Sequence, residues 1–287
     1  MPTKGEKDSV TGMDTTGHEW DGIRELDTPL PAWWKWVFYA SVVWAIGYWI
    51  AMPSWPWPGG AAPGLLGYSQ RQVVAESLAE ARAGQSAWRD RIATASLDEI
   101  RGDAQLRAFA ISAGRSAFAV NCSQCHGLGA AGSKGYPNLN DDEWLWGGTL
   151  ENIHRTIAYG IRSDHPDTRS GEMLAFGDQG VLGREDIAAA VDHVLSLGAA
   201  AGGPSARGKE VFDANCVACH GADGRGRADL GAPDLTNRLW LYGGDRQSIA
   251  DSITHGRAGV MPAWDGRIDA VVIKELAIFV HALGGGQ

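Results

Sequence analysis

All four cysteines of the chain lie in two copies of one short motif, Cys-x-x-Cys-His. The first copy is CSQCH, from Cys122 to His126, and the second is CVACH, from Cys216 to His220. The residues around the two copies also recur at matching internal spacing; among them are Gly114 and Gly208, Phe118 and Phe212, Trp144 and Trp240, and Gly160 and Gly256. This internal duplication predicts two small, mostly helical domains in tandem, at 111–200 and 204–287.

The motif indicates the chemistry of these domains. Two thiols at this spacing can form thioethers with the two vinyl groups of a haem, while the adjacent histidine ligates the iron. We therefore expect two covalently bound haem c groups. The attachment residues are Cys122, Cys125, Cys216 and Cys219, and the proximal iron ligands are His126 and His220. A four-cysteine zinc site fits poorly because its two pairs normally lie within roughly 20 residues of each other, and a thioredoxin-like redox pair is the other alternative.

Methionine is the expected second axial ligand of each iron. Each domain has one methionine after its motif, so we assign Met173 to the iron of His126 and Met261 to the iron of His220. The alternative is that these methionines fill the core and that a histidine ligates instead. The histidine candidates do not recur at equivalent positions; they are His154, His165, His193 and His255. Ligation by His and Met suits electron transfer better than oxygen binding.

The N-terminal part of the chain has the pattern of a membrane anchor. Eight of the 13 tryptophans lie between Trp20 and Trp57, and no charged residue occurs between Lys35 and Arg71. We expect one transmembrane helix at 33–52, flanked by aromatic belts. A cleaved signal peptide and a buried core helix are the alternatives. Basic residues precede the span and are absent from the 18 residues after it, which predicts a cytoplasmic N-terminus and exported haem domains. They are Lys4, Lys7, Arg24 and Lys35.

The remaining segments complete an all-α architecture. We expect a cytoplasmic tail at 1–32 and, at 53–110, a stiff proline-rich linker (53–64) followed by two helices broken near Ser96. There Ser96 and Glu99 have the spacing of a capping box. The formal net charge of −9 argues against a general nucleic-acid binder and favours cationic partners.

The whole chain resembles subunit III of cbb3-type cytochrome c oxidases, the membrane-anchored dihaem subunit. The resemblance is carried by HEWDGIRELDTPLPAWW from His18 to Trp34, YSQRQ from Tyr68 to Gln72, SLDEI from Ser96 to Ile100, and the tandem haem motifs. It implies two class I cytochrome c domains, in which Gly114 and Gly208 let the first helix cross the last helix closely. It also implies that the carbonyls of Pro137 and Pro233 accept the ring proton of the proximal histidine.

The resemblance further implies a place in a respiratory chain at the bacterial inner membrane, with the haem domains in the periplasm. Electrons would enter from a cytochrome bc1 complex through a cytochrome c. They would pass over the haems of monohaem subunit II and of subunit III to catalytic subunit I, so this chain alone would not reduce oxygen. The alternatives are a free-standing anchored dihaem cytochrome that serves another complex, and a haem-based sensor or peroxidase.

Overall fold

The computed structural model describes residues 6–198 and 205–285. Lys4 and the predicted domain boundary at 200–204 lie outside the described residues, and so does the side chain of Trp57. The chain divides into two compact units, Met1–Ala83 and Gly84–Gln287.

The first unit begins with a β-hairpin in the predicted tail. Strands β1 (Thr15–Trp20) and β2 (Ile23–Leu26) pair antiparallel. Asp21 and Gly22 join them with φ values of 48° and 83°, and a two-residue type I′ turn requires positive φ at both positions. The all-α prediction therefore missed a hairpin that the Asp-Gly pair indicates.

Helix α1 (Ala32–Ala51) follows Pro31 and covers the stretch for which the sequence predicts a membrane anchor. None of its residues is buried, and its large apolar side chains are mostly exposed. Across the described ranges, no helix combines the length and the apolar character that crossing a membrane requires. The predicted anchor is thus not confirmed by the structure.

The proline-rich segment after α1, predicted as a stiff linker, does not continue the helix and is partly paired. Two short strands, β3 (Pro56–Trp57) and β4 (Gly60–Ala61), form a second antiparallel hairpin there. The amides of Leu65 and Leu66 then donate to the carbonyls of Ile50 and Ala51, which brings the chain back against the end of α1.

Three more helices lie between α1 and the first cysteine. They are α2 (Gln70–Thr94), α3 (Leu97–Gly102) and α4 (Ala104–Asn121). The predicted capping box is confirmed: the Ser96 side chain accepts from the Glu99 amide, and the Glu99 carboxylate accepts from the Ser96 amide. A second break, not foreseen from the sequence, occurs at Asp103, whose carboxylate caps α4 by accepting from the amides of Gln105 and Leu106.

The remaining helices repeat one pattern twice. Each motif ends in a one-turn helix, and each is followed by one helix of ten residues and a longer closing helix. In chain order they are α5 (Ser123–His126), α6 (Leu150–Tyr159), α7 (Arg184–Leu197), α8 (Ala206–Asn215), α9 (Val217–His220), α10 (Arg246–His255) and α11 (Ala270–His281).

These helices pack as two bundles within the second unit, and the bundles do not coincide with the two repeats. The first bundle consists of α4, α5, α6 and α11, and the second of α7, α8, α9 and α10. In the first core, Phe118 and Ile153 contact Leu276 of α11, and in the second core, Phe212 packs with Val191 of α7. The closing helix of each repeat thus packs against the opening helix of the other.

The two bundles are therefore not the two sequence repeats predicted at 111–200 and 204–287, because helices pack across the division between the repeats. Since α7 and α11 occupy equivalent places in the two repeats, either could close either bundle as far as the sequence pattern shows. The segments that connect the two repeats are held together by backbone pairing: Ile161 forms a β-bridge with Met261, and Met173 forms one with Arg257.

Candidate haem sites

Most of the residues predicted to form the first haem site line a cavity in the first bundle. Its walls are largely apolar and include Cys122, His126, Pro137, Trp144, Met261 and Leu276. The empty space is about 770 Å³, including the part that opens to solvent.

The histidine of each motif is held by one hydrogen bond. His126 Nδ1 lies 3.1 Å from the carbonyl oxygen of Pro137, and His220 Nδ1 lies 3.1 Å from that of Pro233. A carbonyl oxygen only accepts, so Nδ1 carries the proton and Nε2 keeps its lone pair. Burial lowers the pKa of both imidazoles and favours the neutral ring that a metal requires.

The two cysteines of each motif differ in exposure. Cys122 and Cys216 are partly buried and pack against the two cores, whereas Cys125 and Cys219 are exposed. Burial raises the pKa of both Cys122 and Cys216 to about 11. None of the four forms a disulfide, so all four thiols remain available for thioether bonds.

The methionines are placed opposite to the sequence assignment. Met261 lines the first cavity with His126, whereas Met173 packs against the second core, as Cys216 does. The pairing of Met173 with His126 and of Met261 with His220 is therefore not the one in the structure. The reason is the helix exchange, because each methionine lies on the segment that leads into the closing helix and moves with it.

The histidine alternatives have other contacts. His165 stacks on Tyr159, His255 lies 2.9 Å from an Asp178 carboxylate oxygen, and His193 packs on the Phe212 ring. His154 on α6 is half-buried. Among the described residues that line the first cavity, His126 is the only histidine.

Sequence comparison of the repeats could have found two more cavity residues. Trp146 and Thr156 line the first cavity, and the residues 96 positions later are Tyr242 and Ser252, an aromatic ring and a hydroxyl again. Trp144 and Trp240 were recognised as a repeated pair. The structure adds that Trp144 Nε1 donates to the Gly285 carbonyl over 2.6 Å, which ties the end of the chain to the first cavity.

These residues fit a covalently attached haem. A largely apolar cavity contains the half-buried imidazole of His126 with a free Nε2, the thioether sulfur of Met261 and the thiol of Cys122. The other thiol of the motif, that of the exposed Cys125, lies one helical turn further along the chain. The donor set is the one that c-type haem requires.

Comparison with known proteins gives matches to the same protein family over most of the chain. A family model described as "Cytochrome C oxidase, cbb3-type, subunit III" matches residues 109–194 and 203–280. A second model, "N-terminal domain of cytochrome oxidase-cbb3, FixP", matches residues 12–58.

Curated relatives match over the full length. The chain is 51% identical over 290 residues to a cbb3-type cytochrome c oxidase subunit FixP of Bradyrhizobium sp. (strain ORS 278), with 100% of both chains covered. It is 50% identical to subunit CcoP of Azospirillum sp. (strain B510), with 98% of each covered, and 45% identical to subunit CcoP of Cereibacter sphaeroides, with 100% of each covered. With its motifs, its cavity and these full-length matches, the chain belongs to the family of cbb3-type cytochrome c oxidase subunit III.

Proposed function

We propose that this chain is the dihaem electron-transfer subunit of a cbb3-type cytochrome c oxidase. The observation that carries the proposal is the cavity of the first bundle, in which His126 and Met261 face the same apolar space. In the second bundle, Met173 and Cys216 both pack against the same core, which supports a corresponding set of ligands there. We assign one haem c to Cys122, Cys125, His126 and Met261, and the other to Cys216, Cys219, His220 and Met173.

A haem c bound in such a site supplies one-electron transfer at its iron. The residues of this chain hold it: the thiols attach the macrocycle, and the Pro137 and Pro233 carbonyls fix the proximal rings. A methionine sulfur, from Met261 in the first bundle and from Met173 in the second, would be a further iron ligand, and ligation by His and Met suits electron transfer better than oxygen binding. The chain therefore relays electrons and leaves oxygen reduction to catalytic subunit I.

We assign α1 as the single-pass anchor in the bacterial inner membrane, with the tail in the cytoplasm and both bundles in the periplasm. The support is that α1 buries none of its side chains and ends in aromatic residues at both sides. Tryptophan favours the membrane interface, although a mean hydropathy counts it as weakly polar. Twenty residues of helix extend about 30 Å, which matches the hydrocarbon core.

The partners follow from family and charge. Subunits I and II of the oxidase are the partners on the acceptor side of the electron path. The donor is a cytochrome c, which receives electrons from a cytochrome bc1 complex. The net charge of −9 favours a basic donor. Its association rate should fall as salt is raised, because salt screens the attraction between unlike charges.

Gentle solubilisation of the membrane and isolation of this chain through a C-terminal tag tests the proposal. We expect subunits I and II to copurify, and the isolated chain to stain for haem on a denaturing gel with a mass two haems above the polypeptide. Replacing both Cys122 and Cys125 by alanine should remove one haem. Isolation of a dihaem chain with a different membrane complex would reject the oxidase assignment, and haem lost in acid acetone would reject covalent attachment.

A further inference from the structure

Arg169 is a buried cation without a counter-charge. Its side chain is 8% exposed. Nε donates to Thr156 Oγ1 over 3.0 Å, Nη2 donates to Asn152 Oδ1 over 2.9 Å, and the guanidinium lies 5.2 Å from the centre of the Trp146 ring. All three partners are neutral. Within the described part of the chain, no carboxylate forms an ion pair with it, and the charge that acts on its pKa is another cation, Arg155, which lowers it.

A buried charge normally has a partner of opposite sign, because removing an ion from water is expensive. Burial indeed lowers the pKa of Arg169. Trp146 and Thr156, which hold the guanidinium, both line the cavity that contains His126. The missing anion is therefore expected on the cavity side, where a ligand can supply it.

The second repeat contains a similar arrangement around Arg257, which is half-buried. Arg257 Nε donates to Ser252 Oγ over 3.0 Å, and its guanidinium lies 4.3 Å from the centre of the Tyr242 ring. Tyr242 and Ser252 are the counterparts of Trp146 and Thr156, 96 residues later. Each site thus places an arginine between an aromatic ring and a hydroxyl.

The two arginines come from different places in the repeat. The counterpart of Arg257 is Ile161, which has no charge. Arg169 belongs to SDHPDTRS (163–170), a stretch of the first repeat without a counterpart in the second. The structure pairs Ile161 with Arg169 as a parallel bridge, so the extra stretch brings a guanidinium back to the position where Ile161 lacks one. Two different routes to one placement indicate that the site requires a cation there.

We propose that Arg169 and Arg257 each bind a propionate carboxylate of the haem in their own bundle, Arg169 for the haem on Cys122 and Arg257 for the haem on Cys216. This inference rests on the proposed haem sites. Haem propionates are the anions that a covalently attached haem carries, and a guanidinium binds carboxylates through charge-assisted hydrogen bonds. Without the arginine, the carboxylate charge is left uncompensated and stabilises the ferric iron, so the reduction potential of that haem falls.

The experiment is a redox titration of the full-length chain in detergent, with Arg169→Gln, Arg257→Gln and the double variant. We expect each single variant to lower one of the two midpoint potentials and the double variant to lower both. The expected size is at least tenfold in the electron-exchange equilibrium, which is about 59 mV for a one-electron couple. Arg169→Lys keeps the positive charge but lacks the paired N–H donors of a guanidinium. It should therefore lower the midpoint potential of the same haem by a smaller amount.

Arg155→Gln is the matched control. Arg155 is an exposed residue of helix α6, which also carries Thr156, and its replacement by glutamine removes the same charge near Arg169. We expect it to leave both potentials unchanged. Equal shifts in Arg155→Gln and Arg169→Gln would overturn the inference, since a general loss of positive charge would then explain both. Unchanged potentials in Arg169→Gln with both haems retained would also overturn it.

A second measurement identifies the anion itself. Redox-difference infrared spectra of protein with ¹³C-labelled haem propionates should show carboxylate bands that move in Arg169→Gln and Arg169→Lys but not in Arg155→Gln. Labelled bands that are the same in all four proteins would mean that no propionate contacts Arg169. A parent chain without covalent haem would instead overturn the proposed function, so the two failures are distinguishable.

Discussion

The Cα atom of Gly114 packs directly on the backbone of Glu275, at the point where α4 crosses α11. A Cβ at position 114 would lie 2.7 Å from the Phe279 Cβ and even closer to the Glu275 carbonyl oxygen. In the second bundle, Gly208 meets the Ala189 carbonyl in the same way. The close helix crossing implied by the family resemblance is present, but each glycine meets the closing helix of the other repeat.

Gly114→Ala should therefore destabilise the first bundle. The helices must separate or shift to admit one methyl group, and overpacking of this kind costs about 1–3 kcal/mol. Gly84→Ala in helix α2 is the control, because a Cβ there meets no atom within 4 Å and alanine favours helix by up to about 1 kcal/mol. Urea unfolding of the holoprotein measures both. A Gly114→Ala variant as stable as the parent would show that the helices do not cross this closely.

The exchanged methionines are tested in a chain that keeps a single haem. Replacing Cys216 and Cys219 by alanine leaves only the haem on Cys122 and Cys125. In that background, Met261→Leu should abolish the sulfur-to-iron charge-transfer absorption, while Met173→Leu should leave it intact. Ligation within each repeat, as first inferred from the sequence, gives the reverse result, so one pair of spectra decides between them.

Glu275 should make the stability depend on pH. The residue is 2% exposed, and its Oε1 has no hydrogen-bond partner among the described residues. Burial raises the pKa of this carboxyl to about 7, while Arg89, 3.9 Å away, lowers it only partly. As pH rises from about 4.5 to 7, the unfolded chain ionises first, so folding loses roughly 3 kcal/mol from this group and does not regain it above pH 7.

Glu275→Gln removes that titration. We expect its stability to change less between pH 4.5 and 8 than that of the parent, and to exceed the parent's above pH 7. Urea midpoints at several pH values measure the difference. Glu210→Gln, at an exposed position of α8, is the control and should keep the parent's pH profile. Parallel profiles for Glu275→Gln and the parent would show that the buried carboxyl does not titrate in this range.

The topology is tested with protease on intact spheroplasts. The enzyme should remove the bundles beyond the proline-rich segment (53–64) and leave an N-terminal tag protected until the membrane is permeabilised. The physical reason is the cluster of basic residues before α1, which favours the cytoplasmic side. Cleavage of the tag in intact spheroplasts is the outcome that contradicts this orientation.

Much of the site was predictable from the sequence because local spacing determines it. Cys122, Cys125 and His126 lie within one helical turn, and the Ser96–Glu99 capping box spans three residues. Short-range geometry of this kind depends little on what packs around it. The hairpin at Asp21–Gly22 was equally local and was missed, although the dipeptide is a strong turn signal.

The sequence alone is enough to predict two haem-binding units, the residues that would attach the haems, and one methionine ligand for each unit. Which methionine shares a cavity with His126, and where a buried arginine lies, depends on the tertiary structure. The two repeats have closing helices with equivalent apolar faces, so the sequence pattern does not distinguish packing within a repeat from packing across repeats. Met261 and Ile161 both line the first cavity, and Ile161 forms backbone bridges with Met261 and with Arg169. Residue spacing in the sequence does not predict such long-range contacts.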